Sequence, residues 1–121
     1  MISTHGLTHI SLKVANLDRS VAFYSRLFGV VEYFRDAESV QVKGPGPHDV
    51  IAFEQSHAGG SPIGGITHFG FRLVRPEDID AAVEQAKAAG GRLLRRGEFA
   101  PGYPFAYIAD PDGYEIEIWY E

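Results

Sequence analysis

The four-residue phrase Gly-aliphatic-Thr-His occurs twice in this chain, and each copy opens a run of residues that is typical of a β-strand. The first copy begins "GLTHISLKV" at residue 6, and the second begins "GITHFGFRLV" at residue 65. The offset of 59 residues (65 − 6) is about half of the 121-residue chain. Self-similar segments of this length fold into similar supersecondary units, so the repeat predicts two modules of the same design.

A helix with an acidic start follows each copy of the phrase. In the first module Asp18 is the expected N-cap of "RSVAFYSRLF", and in the second Pro76 leads "EDIDAAVEQAKAA". Glycines stop both helices, at Gly29 and at Gly90. The apolar faces are predicted from the helical period to be formed by two sets of residues: Val21, Tyr24, Leu27 and Phe28, then Ile79, Ala82, Val83 and Ala86.

Three short strand-like runs follow each helix, which gives the order βαβββ twice. In the first module they are residues 30–35, 39–43 and 49–55, and in the second they are residues 92–96, 104–109 and 114–120. A chain of 121 residues cannot form two independent domains, because each would bury too little apolar surface. We therefore predict a single domain over residues 1–121, made of modules 1–55 and 65–121 with a linker at 56–64.

The composition narrows the classes of partner and of metal ligand. The formal net charge is −5 and no basic stripe occurs, which argues against a nucleic-acid partner. No run approaches the roughly 18 apolar residues of a membrane span, so we expect a cytoplasmic protein without a membrane partner. Because the chain has no cysteine, any metal must be held by His, Asp or Glu.

Side chains alternate between the two faces of a strand, and this parity brings polar residues together. If Ile10 and Leu12 pack on the helix, then His9, Ser11 and Lys13 share the opposite face. The same rule places His68 and Arg72, and in the last strand Glu115, Glu117 and Trp119, on the face away from the helix. Two histidines with one of the two glutamates would match a 2-His-1-carboxylate metal site. A repeated Thr-His pair of purely structural origin is the alternative.

Several motifs together resemble the vicinal oxygen chelate superfamily, which includes glyoxalase I, bleomycin resistance proteins and type I extradiol dioxygenases. The motifs are "THISLKVANLDRSVAFYSRLFGV", "THFGFRLV" and "DPDGYEIEIW", and together they cover most of the chain. The resemblance implies an α+β fold in which two βαβββ modules form a half-open barrel, or cup, with the helices outside. It also implies a homodimer and a divalent metal ion, Fe(II), Mn, Ni or Zn, held by His9, His68 and Glu117.

The resemblance also suggests catalytic candidates. Glyoxalase I carries a fourth ligand, a glutamate that is also the base, in the last strand of the first module. Ala52 takes that position here, and Glu54 lies two residues further along the same face, as a candidate base. Tyr107 lies ten residues before Glu117, as a tyrosine does in type I extradiol dioxygenases, and is a candidate proton donor or hydrogen-bonding group. The acid/base histidine of those dioxygenases has no counterpart in "GEFAPGYPFAY".

Residues on the same faces are candidates for binding a small-molecule substrate. Lys13 and Arg72 occupy equivalent repeat positions and could bind a carboxylate, or could instead reach solvent or pair with nearby glutamates. The remaining candidates are Ser11, Phe105 and Trp119. The sequence thus predicts a metal-dependent lyase, isomerase or dioxygenase that acts on a small oxygen-bearing molecule. A protein that binds an antibiotic or metabolite in the same cup without transforming it is the alternative.

Overall fold

The structure is a computed structural model that falls into two compact units, Met1–Ser61 (unit 1) and Pro62–Glu121 (unit 2). The residues it describes are 1, 3, 5, 7, 9–58, 66 and 68–121. The glycine and threonine of each repeated phrase, and most of the predicted linker, lie outside the described residues. Both histidines of the repeat, His9 and His68, are among those described.

Unit 1 has the predicted order βαβββ. Its elements are β1 (His9–Val14), α1 (Leu17–Phe28), β2 (Val31–Arg35), β3 (Ser39–Lys43) and β4 (Val50–Gln55). They form a four-stranded sheet in the order β1-β4-β3-β2, in which β1 runs parallel to β4 and the other neighbours are antiparallel. The strand next to β1 is therefore the last strand of the unit.

Unit 2 repeats this arrangement. After β5 (Phe69–Arg72) come a short 3-10 turn (Pro76–Asp78), α2 (Ile79–Ala88), β6 (Arg92–Glu98), β7 (Pro104–Ala109) and β8 (Glu115–Trp119). The sheet order is β5-β8-β7-β6, with β5 parallel to β8. Both units thus confirm the predicted order of elements, and the predicted strand limits differ from the observed ones by two residues or fewer.

The start of α1 differs from the prediction. Asn16, not Asp18, is the N-cap, and its side-chain oxygen accepts a hydrogen bond from the backbone N–H of Arg19 at 2.9 Å. Asp18 lies in the first turn, where a negative charge is still favourable beside the helix dipole. The helix ends as predicted at Gly29, which adopts a φ of 66° that favours glycine.

The buried face of α1 is shifted from the predicted one. The helix buries Leu17, Ser20, Phe23 and Tyr24, whereas Val21, Leu27 and Phe28 are only half-buried. Because the N-cap lies two residues earlier than expected, Leu17 joins the helix, and the buried stripe includes Ser20 and Phe23. The α2 prediction holds better, since Ile79, Val83 and Ala86 are buried there. No helix among the described residues is long and apolar enough to cross a membrane.

Alternation along the strands gives each sheet one buried face. In unit 1 Leu12 and Val14 are buried with Ile51 and Phe53, and in unit 2 Ile116 and Ile118 are buried on β8. Each such side chain stabilises the fold by about 1.5–3 kcal/mol relative to exposure. Phe69 and Phe71, predicted to pack in the same way, are half-buried. The parity prediction is therefore confirmed on β1, β4 and β8, and the polar residues of these strands lie on the opposite face.

Candidate functional site

His68 and Glu117 lie together on the polar face of unit 2. Strands β5 and β8 pair in a register that joins Gly70 to Glu117, and His68 immediately precedes β5. The Nε2 atom of His68 lies 3.4 Å from Oε2 of Glu117. The Glu117 side chain is only 13% exposed and that of His68 is 36% exposed. Two donors of the types that bind divalent metals are therefore adjacent, and the carboxylate is largely shielded from water.

Tyr107 fixes the second oxygen of the Glu117 carboxylate. The two residues are register partners on β7 and β8, and the Tyr107 hydroxyl donates to Oε1 of Glu117 at 3.0 Å. Partial burial raises the pKa of Tyr107 above its usual value, and the bond to Glu117 raises that pKa further. Tyr107 is therefore protonated at neutral pH and acts as a hydrogen-bond donor. The His68 ring meets the Tyr107 ring edge-on, with centroids 5.2 Å apart.

Arg95 pairs with Glu115, one of the two glutamates on β8, whereas Glu117 lies beside His68. Its guanidinium lies 4.0 Å from the centre of the Tyr107 ring and pairs with Oε2 of Glu115 at 3.2 Å. Glu115 is thus directed towards Arg95, while Glu117 is directed towards His68. The sequence analysis did not select Arg95. A register shift between Leu93 and Arg95 brings Arg95 opposite Tyr107, and the sequence carries no visible sign of that bulge.

Two aromatic residues, Phe105 and Trp119, lie two positions from Tyr107 and Glu117 on the same face of β7 and β8. Phe105 contacts Tyr107 with ring centroids 5.6 Å apart, and Trp119 is its register partner on β8. Arg72 lies 5.7 Å from the Trp119 ring and donates to the backbone carbonyl of Glu121. Arg72 is therefore engaged within unit 2, an outcome that the sequence left open beside binding of a substrate carboxylate.

In unit 1 the predicted residues on β1 and β4 share one exposed face. His9 pairs in register with Val50, Ser11 with Ala52 and Lys13 with Glu54. The β1–β4 register is continuous, without the shift that would place Glu54 beside His9. The Glu54 carboxylate instead leans back along the strand, and its Oε2 accepts a hydrogen bond from the Ser11 hydroxyl at 2.7 Å. Ser11 thus orients the candidate base.

A cavity of about 320 Å³ lies beside these residues in unit 1. His9 and Ala52 line it together with side chains that the sequence analysis did not select, Tyr33, Gln41, Lys43 and His48. Gln41 is the register partner of Ala52, and Lys43 that of Val50. Extending the parity argument from β4 to its neighbour β3 would have found these two residues. His48, in the turn before β4, also lines the cavity.

Within unit 2 the donors fit part of a metal site. Ligand atoms about 2.0–2.2 Å from an ion, at octahedral to tetrahedral angles, lie about 2.8–3.6 Å apart, and the His68 to Glu117 distance falls in this range. Taken unit by unit, the described residues contain no group of three His, Asp or Glu side chains placed to hold a metal. The structure therefore brings together two of the three predicted ligands, and His9 belongs to the polar face of unit 1.

A family model decides the relationship of the chain. The model of the Glyoxalase/Bleomycin resistance protein/Dioxygenase superfamily matches residues 6–118. The chain belongs to this superfamily. The superfamily membership expected from the sequence motifs is thus confirmed.

Relatives within the superfamily catalyse different reactions. The chain is 29% identical over 122 residues to a lactoylglutathione lyase of Arabidopsis thaliana, a match that covers 91% of this chain and 42% of the relative. It is 27% identical over 117 residues to a manganese-dependent 2,3-dihydroxybiphenyl 1,2-dioxygenase of Geobacillus genomosp. 3, covering 93% of this chain and 36% of the relative. The chain therefore spans less than half the length of either of these relatives.

The fold is also that of the superfamily. A crystal structure of a glyoxalase-related enzyme from Fulvimarina pelagi matches 98% of this chain and 89% of its own, with a TM-score of 0.80 and 25% sequence identity. The prediction of an α+β glyoxalase fold built from two βαβββ modules is confirmed. Relatives named as lyases and dioxygenases support an enzyme in general, without separating these two classes.

Proposed function

We propose that this chain is a metal-dependent enzyme that acts on a small molecule through two neighbouring oxygens, with His9, His68 and Glu117 as the metal ligands. The observation that carries the proposal is the arrangement around Glu117. One carboxylate oxygen lies 3.4 Å from His68 Nε2 and the other accepts a hydrogen bond from Tyr107. Carboxylates that bind metal ions are usually oriented by a further hydrogen bond, as Glu117 is by Tyr107.

The side chains of the site have separate tasks in this proposal. A divalent ion, when bound, supplies positive charge that stabilises an oxyanion on the substrate, worth several kcal/mol. Tyr107 holds Glu117 in the orientation in which its second oxygen points to His68. Glu54, oriented by Ser11, accepts a proton from the substrate. Phe105 and Trp119 provide apolar walls, as proposed for substrate binding.

Reactions that begin with proton removal fit this set of residues best. A lyase or an isomerase needs a base, and Glu54 is the candidate. Ring-opening dioxygenase chemistry would need a group to handle protons near Tyr107, and the segment "GEFAPGYPFAY" has no histidine. We therefore propose lyase or isomerase chemistry ahead of dioxygenase chemistry, with Fe(II), Mn, Ni or Zn as the ion.

A small-molecule binding protein is the second candidate. The cavity on unit 1 and the aromatic side chains of unit 2 favour it, because both could hold a ligand without any metal. The metal ligands discriminate between the two candidates, since a binding protein does not need them.

Metal content tests the proposal. Protein purified without a tag would be analysed for metals, and its melting temperature measured after adding Fe(II), Mn(II), Ni(II) or Zn(II). An ion at 100 times its dissociation constant stabilises the folded state by about 2.7 kcal/mol, so the enzyme proposal predicts a clear rise with at least one ion. No bound metal and no rise with any of the four ions would favour the binding protein.

The assembly is also part of the proposal. We expect one domain over residues 1–121 and a homodimer, whose mass in sedimentation equilibrium would be about twice the 13.3 kDa of the chain. A small-molecule substrate is the expected partner, as in the two relatives whose names give small substrates.

A further inference from the structure

The cavity of unit 1 crosses three neighbouring strands. His9 on β1, Val50 on β4 and Lys43 on β3 are successive register partners, and all three line it. The backbones of His9 and Lys43 are thus about 10 Å apart, which is two strand spacings. A small molecule with one functional group at each end would match this span. His9, at one end of the cavity, is a proposed metal ligand, whereas Lys43, at the other end, has no assigned role.

Lys43 and Gln41 supply two donor groups on β3, and His48 lines the same cavity. The Lys43 ammonium lies 4.7 Å from the centre of the Tyr33 ring. The Tyr33 hydroxyl donates to the amide oxygen of Gln41 at 2.6 Å, so the amide NH₂ of Gln41 is the group that can serve a ligand. His48 also lines the cavity, and its ring contacts that of His5 with centroids 4.8 Å apart. A cation, an amide donor and an imidazole together favour an anionic ligand.

Acidic groups nearby are directed elsewhere. None of the described residues that line the cavity is Asp or Glu. Asp49, next to His48, lies against Gly44 and Gly46 of the same turn. The Glu54 carboxylate is bonded to Ser11, beyond Ala52 on the same face. In a chain of net charge −5, this cavity is therefore lined by cationic and neutral groups.

We propose that Lys43, with Gln41 and His48, binds the anionic end of the substrate, so that the substrate is a small organic acid whose other end carries the neighbouring oxygens. The second half of this proposal, which places the neighbouring oxygens at the His9 end, rests on the proposed function. The proposal also replaces Lys13 and Arg72 by Lys43 as the residue expected to bind a substrate carboxylate. Arg72 is engaged by Trp119 and the Glu121 carbonyl, and Lys13 faces Glu54, whereas Lys43 is in the cavity.

Two matched pairs of probes test the proposal. Benzoate and benzamide differ in charge and carry no oxygens on adjacent carbon atoms, and 3,4-dihydroxybenzoate and 3,4-dihydroxybenzamide add such a pair. Dissociation constants would be measured by NMR titration on metal-free and Mn(II)-loaded protein. Wild type should prefer each acid over its amide by roughly fivefold to tenfold, which is the upper part of the net effect of one typical hydrogen bond. Lys43→Gln should abolish this preference, and Lys87→Gln, which alters an exposed lysine of α2, should retain it.

The outcomes separate the two proposals. Equal affinity of wild type for acid and amide would overturn the anion site, as would a preference that survives Lys43→Gln. If Mn(II) fails to tighten binding of the dihydroxy probes while the preference for acids persists, the metal proposal fails and the anion site stands. If Mn(II) tightens binding but acids and amides bind alike, only the anion site fails.

Discussion

At the scale of single residues, Glu117 is the side chain that connects the features of unit 2. It accepts a hydrogen bond from Tyr107, lies 3.4 Å from His68 and is largely buried. The Arg95 guanidinium lies 4.0 Å from the centre of the Tyr107 ring and pairs with Glu115. A buried carboxylate is costly unless its lone pairs are satisfied, and the Tyr107 hydroxyl satisfies one oxygen of Glu117.

Removing the Tyr107 hydroxyl tests this arrangement. Tyr107→Phe deletes one hydrogen bond and keeps the ring, so the fold should persist while Glu117 loses its orientation. We expect the affinity for Mn(II) or Zn(II) to fall about 10- to 100-fold, as is typical when a hydrogen bond to a ligand is lost. Competition with a chelator would measure it. Tyr103→Phe, at a tyrosine whose ring stacks on Tyr120, is the control. Equal affinities in both variants would contradict the role given to Tyr107.

Gly70 is a second residue whose type is explained by the little space around it. A Cβ atom there would lie 3.1 Å from the carbonyl oxygen of Glu117 and 3.2 Å from Nε1 of Trp119. Gly70→Ala should therefore displace the indole and destabilise the fold by about 1–2 kcal/mol through overpacking. Trp119 is the single tryptophan of the chain, so its fluorescence reports the displacement directly. An unchanged emission spectrum with unchanged urea unfolding would show that the site has room for a methyl group.

Individual residues were predictable where a repeat or a strand period applied to them. His68 and Glu117 followed from the repeat, the strand parity and the family motifs, although the choice between Glu115 and Glu117 needed the resemblance. Arg95 was missed because a bulge in β6, not the strand period, sets its position. Lys43 and Gln41 were missed because the parity argument stopped at β4.

At the scale of elements, the turns are fixed by aspartates that bond to the backbone. Asp36 joins β2 to β3, and its Oδ1 accepts hydrogen bonds from the backbone N–H groups of Glu38 and Ser39, both at 2.8 Å. Asp110 does the same in "DPDG", accepting from Asp112 and Tyr114 at 2.9 Å. The strands themselves were predicted closely, since alternation and turn residues are local signals. The cap of α1 was not, because Asn16 and Asp18 are both good capping residues and only the geometry selects between them.

Asp36 makes the stability of the β2–β3 turn depend on pH. The bonds from the backbone of Glu38 and Ser39 lower the pKa of Asp36 below its usual value. A lowered pKa in the folded state stabilises the fold above the unfolded pKa of about 4, and this contribution is lost as the pH falls through the folded pKa. Asp36→Asn should therefore be less stable than wild type in urea at neutral pH. The difference should shrink towards zero in strong acid, and a constant difference would contradict the assignment.

At the scale of the whole molecule, the two units repeat one order of elements and carry different candidate residues. Unit 1 contains His9, Glu54 and the cavity at Lys43, whereas unit 2 contains His68, Glu117 and Tyr107. The order of elements and the superfamily were predictable, because the repeat and the motifs extend over most of the chain. The reaction was not, since members of the superfamily with the same fold catalyse different reactions.

His68 and Glu117, together with His9, are the proposed ligands of a divalent metal ion. Calorimetric titration of Mn(II) and Zn(II) into wild type, His68→Ala and His57→Ala tests this claim most directly. His57 is a matched control, because it also pairs with a glutamate, Glu38, at 2.6 Å but is no proposed ligand. We predict one ion per chain for wild type and for His57→Ala, and loss of that site in His68→Ala. Unchanged stoichiometry and affinity in His68→Ala would contradict the claim.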